Sequence, residues 1–465
     1  MRNSIFFLLA VICSSAFAET RLPAVFSDGM IVQRDTQIAV WGRDEPGQRV
    51  SVRAGWGERA TTRADVNGRW RLMLDTPGAG GPFMLTVKGS SRVERRDVLV
   101  GEVWFASGQS NMDMRVRGNT NQPIIGSNEA VLNAGNNRIR LFTAERQYSE
   151  EPMDDMVGAW QVAAPASVKE FSAVGWFFAE KIGKLVDVPV GIISSAWGGS
   201  NVESWIDADT LSAYGHLAFW EATKGQPERR TPSLMYNGML HPFLGYGIRG
   251  VIWYQGESNR SRPDEYLVLF PAMVASWREQ WGIGDFPFYY AQIAPKDWEG
   301  GNSAFLREAQ LHSMSAGPNM GMAVTLDVGE CDQIHPAEKR TVADRLAYWA
   351  LARDYGFDAI GFSGPVYREM EVTAEGKAVL RFDHAPRGLS SFGRELAGFE
   401  IAGQDRVFHP AQAAIAAREV TVSVWSEQVP EPVAVRYAFE DCPPASLYNT
   451  EGLPASSFRT DDWPE

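Results

Sequence analysis

Four short stretches carry residue types suited to acyl transfer. Residues 101–112, GEVWFASGQSNM, end an apolar run in small and polar residues and place Ser110 on a tight turn. Residues 191–205, GIISSAWGGSNVESW, end a second apolar run in the pair Gly198 and Gly199. Residues 250–259, GVIWYQGESN, end a third in Gln255, Glu257 and Asn259, and residues 327–335, DVGECDQIH, hold Asp332 three positions before His335. A serine at its ordinary pKa is a poor nucleophile and needs a base within hydrogen-bond reach. His335 is the candidate base, and Asp332 is expected to bond one ring nitrogen while the other faces Ser110. An attacked ester carbonyl becomes an oxyanion, and each donor held ready for it is worth roughly a hundred- to a thousandfold in rate. The N–H groups of Ser110 and Gly199 and the side-chain amide of Gln255 are the expected donors. Gly198 is the neighbouring alternative, since glycine lets the chain approach a substrate closely. Gln109 and Asn111 are expected to hold the nucleophile turn and Glu257 to order its loop, with Trp197 and Asn259 in supporting or substrate-binding positions.

A site gathered from four segments needs four strands that end on one edge. Between residues 101 and 357 the pattern alternates strand and helix: strands at 138–143, 188–194, 286–293 and 321–327, helices at 171–186, 266–281 and 305–314, and a last helix opening at Pro336. Val174, Phe177, Phe178, Ile182 and Leu185 recur at helical spacing in the first of these helices. Pro271 marks a kink or the true start of the second. Such alternation gives a parallel sheet covered by helices on both faces, with ligands at the carboxyl ends of the strands. Residues 22–98 change to short alternating runs separated by turn clusters, which reads as a small antiparallel β-sandwich. After residue 358 the chain reads as β-rich, with AAIAA at 413–417 as a connecting turn.

Taken together, GQSNM, WGGSNVESW, WYQGESN and DQIHP resemble the SGNH (GDSL-type) hydrolase superfamily, and within it the sialate O-acetylesterase branch. VFSDGMIVQRD and the tail EGLPASSFRTDDW extend the resemblance to both ends of the chain. The resemblance implies an SGNH-type flavodoxin-like α/β/α sandwich over residues 101–357, between an N-terminal β-sandwich domain (19–100) and a C-terminal β-rich region (358–465). It also implies a serine esterase that removes O-acetyl groups from carbohydrates through Ser110, His335 and Asp332, with no cofactor. Gln255 stands where many superfamily members carry asparagine. Acetylated xylan or another plant polysaccharide is the alternative substrate to a sialic acid, and a carbohydrate-binding protein on a hydrolase scaffold is the alternative from another class. A sialic acid brings a carboxylate, for which Arg115, Arg117, Arg260 and Arg262 are the arginines nearest the motifs.

The 465 residues carry a net charge of -13, which argues against nucleic acid or an anionic membrane surface as partner. Residues 1–18 have a charged start, an apolar stretch and an Ala-Phe-Ala ending, the pattern of a signal peptide cleaved after Ala18, so an exported, periplasmic or extracellular product is expected. That leaves Cys331 and Cys442, which can pair or stay free. No cluster of His, Cys, Asp and Glu has metal-ligand spacing, so no metal is expected. His241 lies in the loop-rich stretch 206–244, where it can line a pocket or serve the loop alone.

Overall fold

The alternating middle of the chain folds as a mainly parallel sheet. Residues 19–416 and 420–464 are described by the structure, a computed structural model; the segment 1–18 lies outside them. The strands are β1 (Arg92–Gly108), β2 (Asn136–Thr143), β3 (Trp160–Ala163), β4 (Val190–Ala196), β5 (Gly250–Tyr254), β6 (Phe288–Ala291) and β7 (Met320–Ala323). They lie in the order β7-β6-β5-β1-β4-β2-β3, parallel throughout except for β3, which runs antiparallel to β2. The principal helices are α1 (Ser110–Asp113), α2 (Ala173–Val186), α3 (Pro263–Trp281), α4 (Ala304–Ser313) and α5 (Lys339–Asp354).

Successive side chains of a strand point to opposite faces, and here each face has its own core. Val103 and Phe105 of β1, with Val251 and Trp253 of β5, pack with Phe270 and Trp277 of α3. Their neighbours Trp104, Ala106, Ile252 and Tyr254 pack instead with Phe177 of α2 and Leu346 of α5. Burying each such side chain contributes roughly 1.5–3 kcal/mol, so a polar residue anywhere along 103–106 would be costly. The strands therefore end at fixed positions, and their carboxyl ends carry the motif residues.

β1 is 17 residues long and serves two regions. Its first part pairs antiparallel with Gly80–Lys88, and Leu99 to Gly101 pair in parallel with Ile31–Gln33; the last part lies between β4 and β5. Further antiparallel pairs join Gln37–Arg43 to Arg69–Asp75 and Arg49–Ala54 to Arg59–Arg63. The carboxyl-terminal part forms antiparallel strands that dock on the sheet region through Arg307 of α4, a fully buried guanidinium. Its Nε donates to Ser457 Oγ at 2.9 Å, and it also meets the carbonyls of Ala438 and Glu440.

Several expectations need correction. Leu185 is 44% exposed, so the apolar stripe of α2 ends at Ile182. α5 begins at Lys339 and not at Pro336, because Glu338 caps it by accepting from the Thr341 N–H, while the Ala337 N–H is taken by Glu330 Oε1 at 2.8 Å. Pro271 falls inside α3, which opens at Pro263. AAIAA is not a turn: Gln412–Ile415 is a strand paired with Thr421–Trp425, and Ala417 lies outside the described residues. Of the two alternatives left open for Cys331 and Cys442, pairing is the one found: they are joined in a disulfide. Among the described residues no helix is long and apolar enough to cross a membrane.

Candidate active site

Ser110 sits where β1 stops, and the stop is enforced by Gly108. A Cβ on Gly108, whose φ is +132°, would lie 2.2 Å from the Tyr254 carbonyl oxygen. Only glycine lets the turn press this closely on β5. The Gln109 N–H then donates to that carbonyl at 2.9 Å, and Gln109 Oε1 faces the N–H groups of Gly256 and Ser258 at 3.4 Å each. Gln109 thus holds the turn that carries Ser110.

Asn111 ties the site together. Its Nδ2 donates to Glu257 Oε1 at 2.6 Å and to the Ile334 carbonyl at 3.0 Å, and its Oδ1 accepts from Lys339 Nζ at 2.5 Å. The residue after Ser110 is therefore bonded to the residue before His335. Burial pushes the Lys339 ammonium down to about 7, against the pull of Glu257 and Glu330. Burial raises the Glu257 carboxyl, which keeps Oε2 without a partner. His335 is lowered to about 4, first by burial and then by the charge on Lys339, so its ring is neutral over the physiological range.

The expected bond between Asp332 and His335 is absent. Asp332 lies exposed on the turn closed by the Gln333 N–H donating to the Glu330 carbonyl, and its carboxylate accepts no hydrogen bond among the described residues. Both ring nitrogens of His335 are buried and unpartnered. A buried polar group without a partner is uncommon and calls for an explanation.

Gly198 packs against Ser110: a Cβ there would come within 3.2 Å of Ser110 Cβ. Its N–H is turned toward the Asp113 carboxylate, which burial raises while Arg146 opposes the rise. Gly199, at φ +79°, has an N–H that meets no protein acceptor among the described residues, and the N–H of Ser110 likewise meets none. Trp197, partly exposed, anchors this loop by donating its N–H to the Gly108 carbonyl at 3.1 Å.

Gln255 does not supply the third donor. Its Nε2 hydrogens are both taken, by the Ser200 carbonyl at 3.1 Å and by Asn259 Oδ1 at 2.7 Å. Asn259 Oδ1 also accepts from the Val202 N–H at 2.9 Å, which fixes it as an acceptor and fixes the Gln255 amide orientation. Gln255 and Asn259 instead lock the Gly198-Gly199 loop to the end of β5. Asn259 Nδ2 continues the lock to Glu203 Oε2 at 2.8 Å, and Arg262 pairs with Glu203 at 2.5 Å and Glu265 at 2.7 Å.

The four arginines picked out for a carboxylate are all engaged. Arg115 and Arg117 share Glu170, at 2.7 and 3.0 Å, and Arg262 is in the buried cluster just described. Arg260 donates to the Gly300 and Glu299 carbonyls and lies 4.5 Å over the Trp298 ring. Arg229, which sequence reasoning passed over, makes no ion pair or hydrogen bond among the described residues; a Cβ on Gly199 would lie 3.1 Å from its Nε. Its neighbour Arg230 donates to the Gly199 carbonyl at 3.1 Å. Lys339 was missed as well, although it stands four residues after His335 and opens the helix that the histidine loop feeds. The group of three potential metal ligands among the described residues, Asp297, Cys331 and Cys442, has both sulfurs in the disulfide. His241 donates from Nδ1 to the Met153 carbonyl at 2.7 Å and lies in a cleft apart from Ser110.

Residues 100–351 match the carbohydrate esterase family of sialic acid-specific acetylesterases. The sialate O-acetylesterase of Homo sapiens is 30% identical over 397 residues, covering 76% of this chain and 75% of its own. That of Mus musculus is 29% identical over 435 residues, 79% of each. The crystal structure of a carbohydrate acetylesterase from Xanthomonas citri is 37% identical with a TM-score of 0.86, covering 96% of this chain and 100% of that one. The resemblance carried by the four motifs is borne out: the chain belongs to the sialic acid-specific acetylesterase family of carbohydrate esterases and is a carboxylic ester hydrolase acting on carbohydrates.

Proposed function

We propose that the chain is an exported serine esterase that removes O-acetyl groups from a carbohydrate by way of an acetyl-enzyme. Ser110 Oγ attacks the acetyl carbonyl while a ring nitrogen of His335 takes its proton. The N–H groups of Ser110 and Gly199 receive the oxyanion. As the tetrahedral intermediate collapses, the C–O bond to the sugar breaks and His335 returns the proton to the leaving hydroxyl. A water then repeats the sequence on the acetyl group, releasing acetate and restoring Ser110. The observation that carries this reading is His335: neutral, half-buried, with both ring nitrogens inaccessible and unpartnered, and on a loop bonded to the residue next to Ser110. Asp332 takes the orienting role as the loop tightens around substrate, since catalytic hydrogen bonds shorten in the complex with substrate.

The sheet with a core on each face supports an SGNH-type α/β/α sandwich for residues 101–357, between a β-sandwich domain at 19–100 and a β-rich region at 358–465. The Cys331–Cys442 disulfide supports export, because such bonds persist in oxidising compartments. The substrate reading is an O-acetylated sialic acid or another acidic sugar, and Arg229 beside Gly199 is the cation that favours it. Acetate release from O-acetylated sialic acid and from acetylated xylan, side by side, tests both parts. Ser110→Ala is expected to lower kcat on the order of 10⁴-fold or more. Release that survives in the variant would overturn the nucleophile assignment. Release from xylan alone would overturn the acidic substrate, and release from neither would favour a binding protein.

A further inference from the structure

The N-terminal strands hold no catalytic residues, yet they form one wall of the largest cleft described. It measures about 860 Å³ and lies between those strands and the loops of the sheet region, within the roughly 300–1,000 Å³ of small-molecule sites, which favour such junctions. Trp41, Arg71, Arg21 and Arg63 face Asp155, His241, Leu244 and Gln280 across it, while Ser110, Gly199 and His335 take no part in its lining.

The charges of the cleft do not cancel. Five arginines (Arg21, Arg43, Arg63, Arg69 and Arg71) line it with three aspartates, giving 5 − 3 = +2 in a chain of net charge -13. The three aspartates are already in use. Asp154 accepts from both Arg43 and Arg69, and the Asp155 carboxylate accepts from the N–H groups of Ala24 and Met156 at 2.8 and 2.7 Å. The Asp65 carboxylate accepts from the N–H groups of Asn67 and Arg69 at 2.8 and 2.9 Å.

Arg71 remains without an anionic partner, although its position is well fixed. Its guanidinium lies 5.8 Å from the centre of the Trp41 ring, which is itself held edge-on by Phe26 at 4.6 Å. On its other side it packs against the backbone at Gly245, where a Cβ would come within 2.4 Å of a guanidinium nitrogen. A guanidinium held by an aromatic face and a backbone, open to solvent and unpaired, presents its planar fork for a carboxylate. Leu22 and Leu244 add apolar wall suited to the carbon face of a sugar, and His241, bonded at Nδ1, leaves Nε2 for a hydroxyl.

We propose that this cleft is a second binding site, separate from the catalytic centre, which holds a carboxylate-bearing sugar unit with Arg71 as its anion contact. The saccharide class rests on the carbohydrate esterase reading; the carboxylate does not. Calorimetric titration of the full-length Ser110→Ala protein with trigalacturonate, N-acetylneuraminate, xylotriose and inorganic phosphate tests it, because that variant cannot turn substrate over. At least one of the two carboxylated saccharides should bind, more tightly than either xylotriose or phosphate. Adding Arg71→Met should weaken that binding at least tenfold, and Arg71→Lys should restore part of it. Arg71→Met alone should leave hydrolysis of 4-nitrophenyl acetate within about twofold of wild type, which also shows that the variant folds. Failure of both acidic sugars to bind, equal binding of xylotriose, preference for phosphate, or affinity indifferent to Arg71→Met would each overturn the proposal. Absence of acetate release by the wild-type protein from any ester would sink the esterase reading instead, and leaves the titration to judge the cleft by itself.

Discussion

The nucleophile turn and the histidine loop meet at Asn111 and are built by opposite means. The turn is fixed on every side: Gly108 is pressed on Tyr254, the Gln109 side chain faces the backbone of the β5 loop, and Asn111 makes three bonds of its own. The loop from 327 to 338 is anchored at its margins instead. Arg345 grips Asp327 with two bonds of 2.6 Å, the disulfide ties Cys331 to Cys442, and Glu330 accepts from Ala337. Between these anchors Asp332 faces solvent and the His335 ring has no partner. In the proposed mechanism the fold thus sets the position of Ser110 in advance and leaves the orientation of His335 to be completed when substrate binds. Holding the serine this firmly matters, because a misplacement of about 1 Å can cost a hundredfold in rate.

The sharpest break of that contrast is Asn111→Ala. It removes the one side chain bonded to Glu257, Lys339 and the histidine loop together, and should lower kcat about a hundredfold with little change in KM. Stability should fall as well, by about 2–4 kcal/mol in urea denaturation, since Glu257 and Lys339 would each keep a buried polar group without its partner. A kcat that stays at the wild-type level would mean that turn and loop are positioned independently.

A smaller effect is expected of Lys339→Met, and it has a direction. His335 must be neutral to accept the Ser110 proton, and burial together with the Lys339 charge holds its pKa near 4, so activity should persist well into the acid range. Removing the charge lets the pKa rise toward its ordinary value near 6.5. The acid limb of kcat/KM should therefore move upward by about one pH unit, costing up to about tenfold between pH 4 and 6 and much less at pH 8. Burial is the larger cause of the lowering and stays in place, which limits the shift. A lysine of structural importance alone would depress the whole pH profile and leave its limb unmoved.

The turn was legible in the sequence and the loop only partly so, for physical reasons that the same contrast supplies. Strand-to-turn transitions are local: apolar runs ending in SGQSN, AWGGS and YQGES give the three strand ends because each run must be buried and each ending must be satisfied. Asp332 and His335 were expected to bond from a spacing of three, but that spacing does not say which side of a turn a carboxylate takes, and the turn at Glu330 sends it outward. Gln255 was misjudged in a related way. Its residue type suits an oxyanion, but its hydrogens go to Ser200 and Asn259, a pairing set by the approach of two distant loops. Lys339 opens the helix four residues after His335, across a non-helical turn, and nothing local indicated that Asn111 would reach it. Arg229 lies in a loop-rich stretch with no periodicity, and only the tertiary fold brings it to Gly199.

The loop's outer anchor should matter least to chemistry and most to endurance. Cys442→Ser opens a bond between positions 111 residues apart, and a bond closing a loop of that size stabilises by up to about 5 kcal/mol. Cys331 keeps another tie, its carbonyl accepting from the Asp297 N–H at 2.7 Å, and Asp327 and Glu330 still hold the two ends. Activity at 25 °C should therefore stay within a few-fold of wild type while the melting temperature drops, and the variant's activity should fail first on heating. A loss at 25 °C as large as that of Asn111→Ala would reverse the comparison. It would mean that the histidine is positioned from outside, by the carboxyl-terminal strands, and that the bond from Asn111 to Ile334 merely follows.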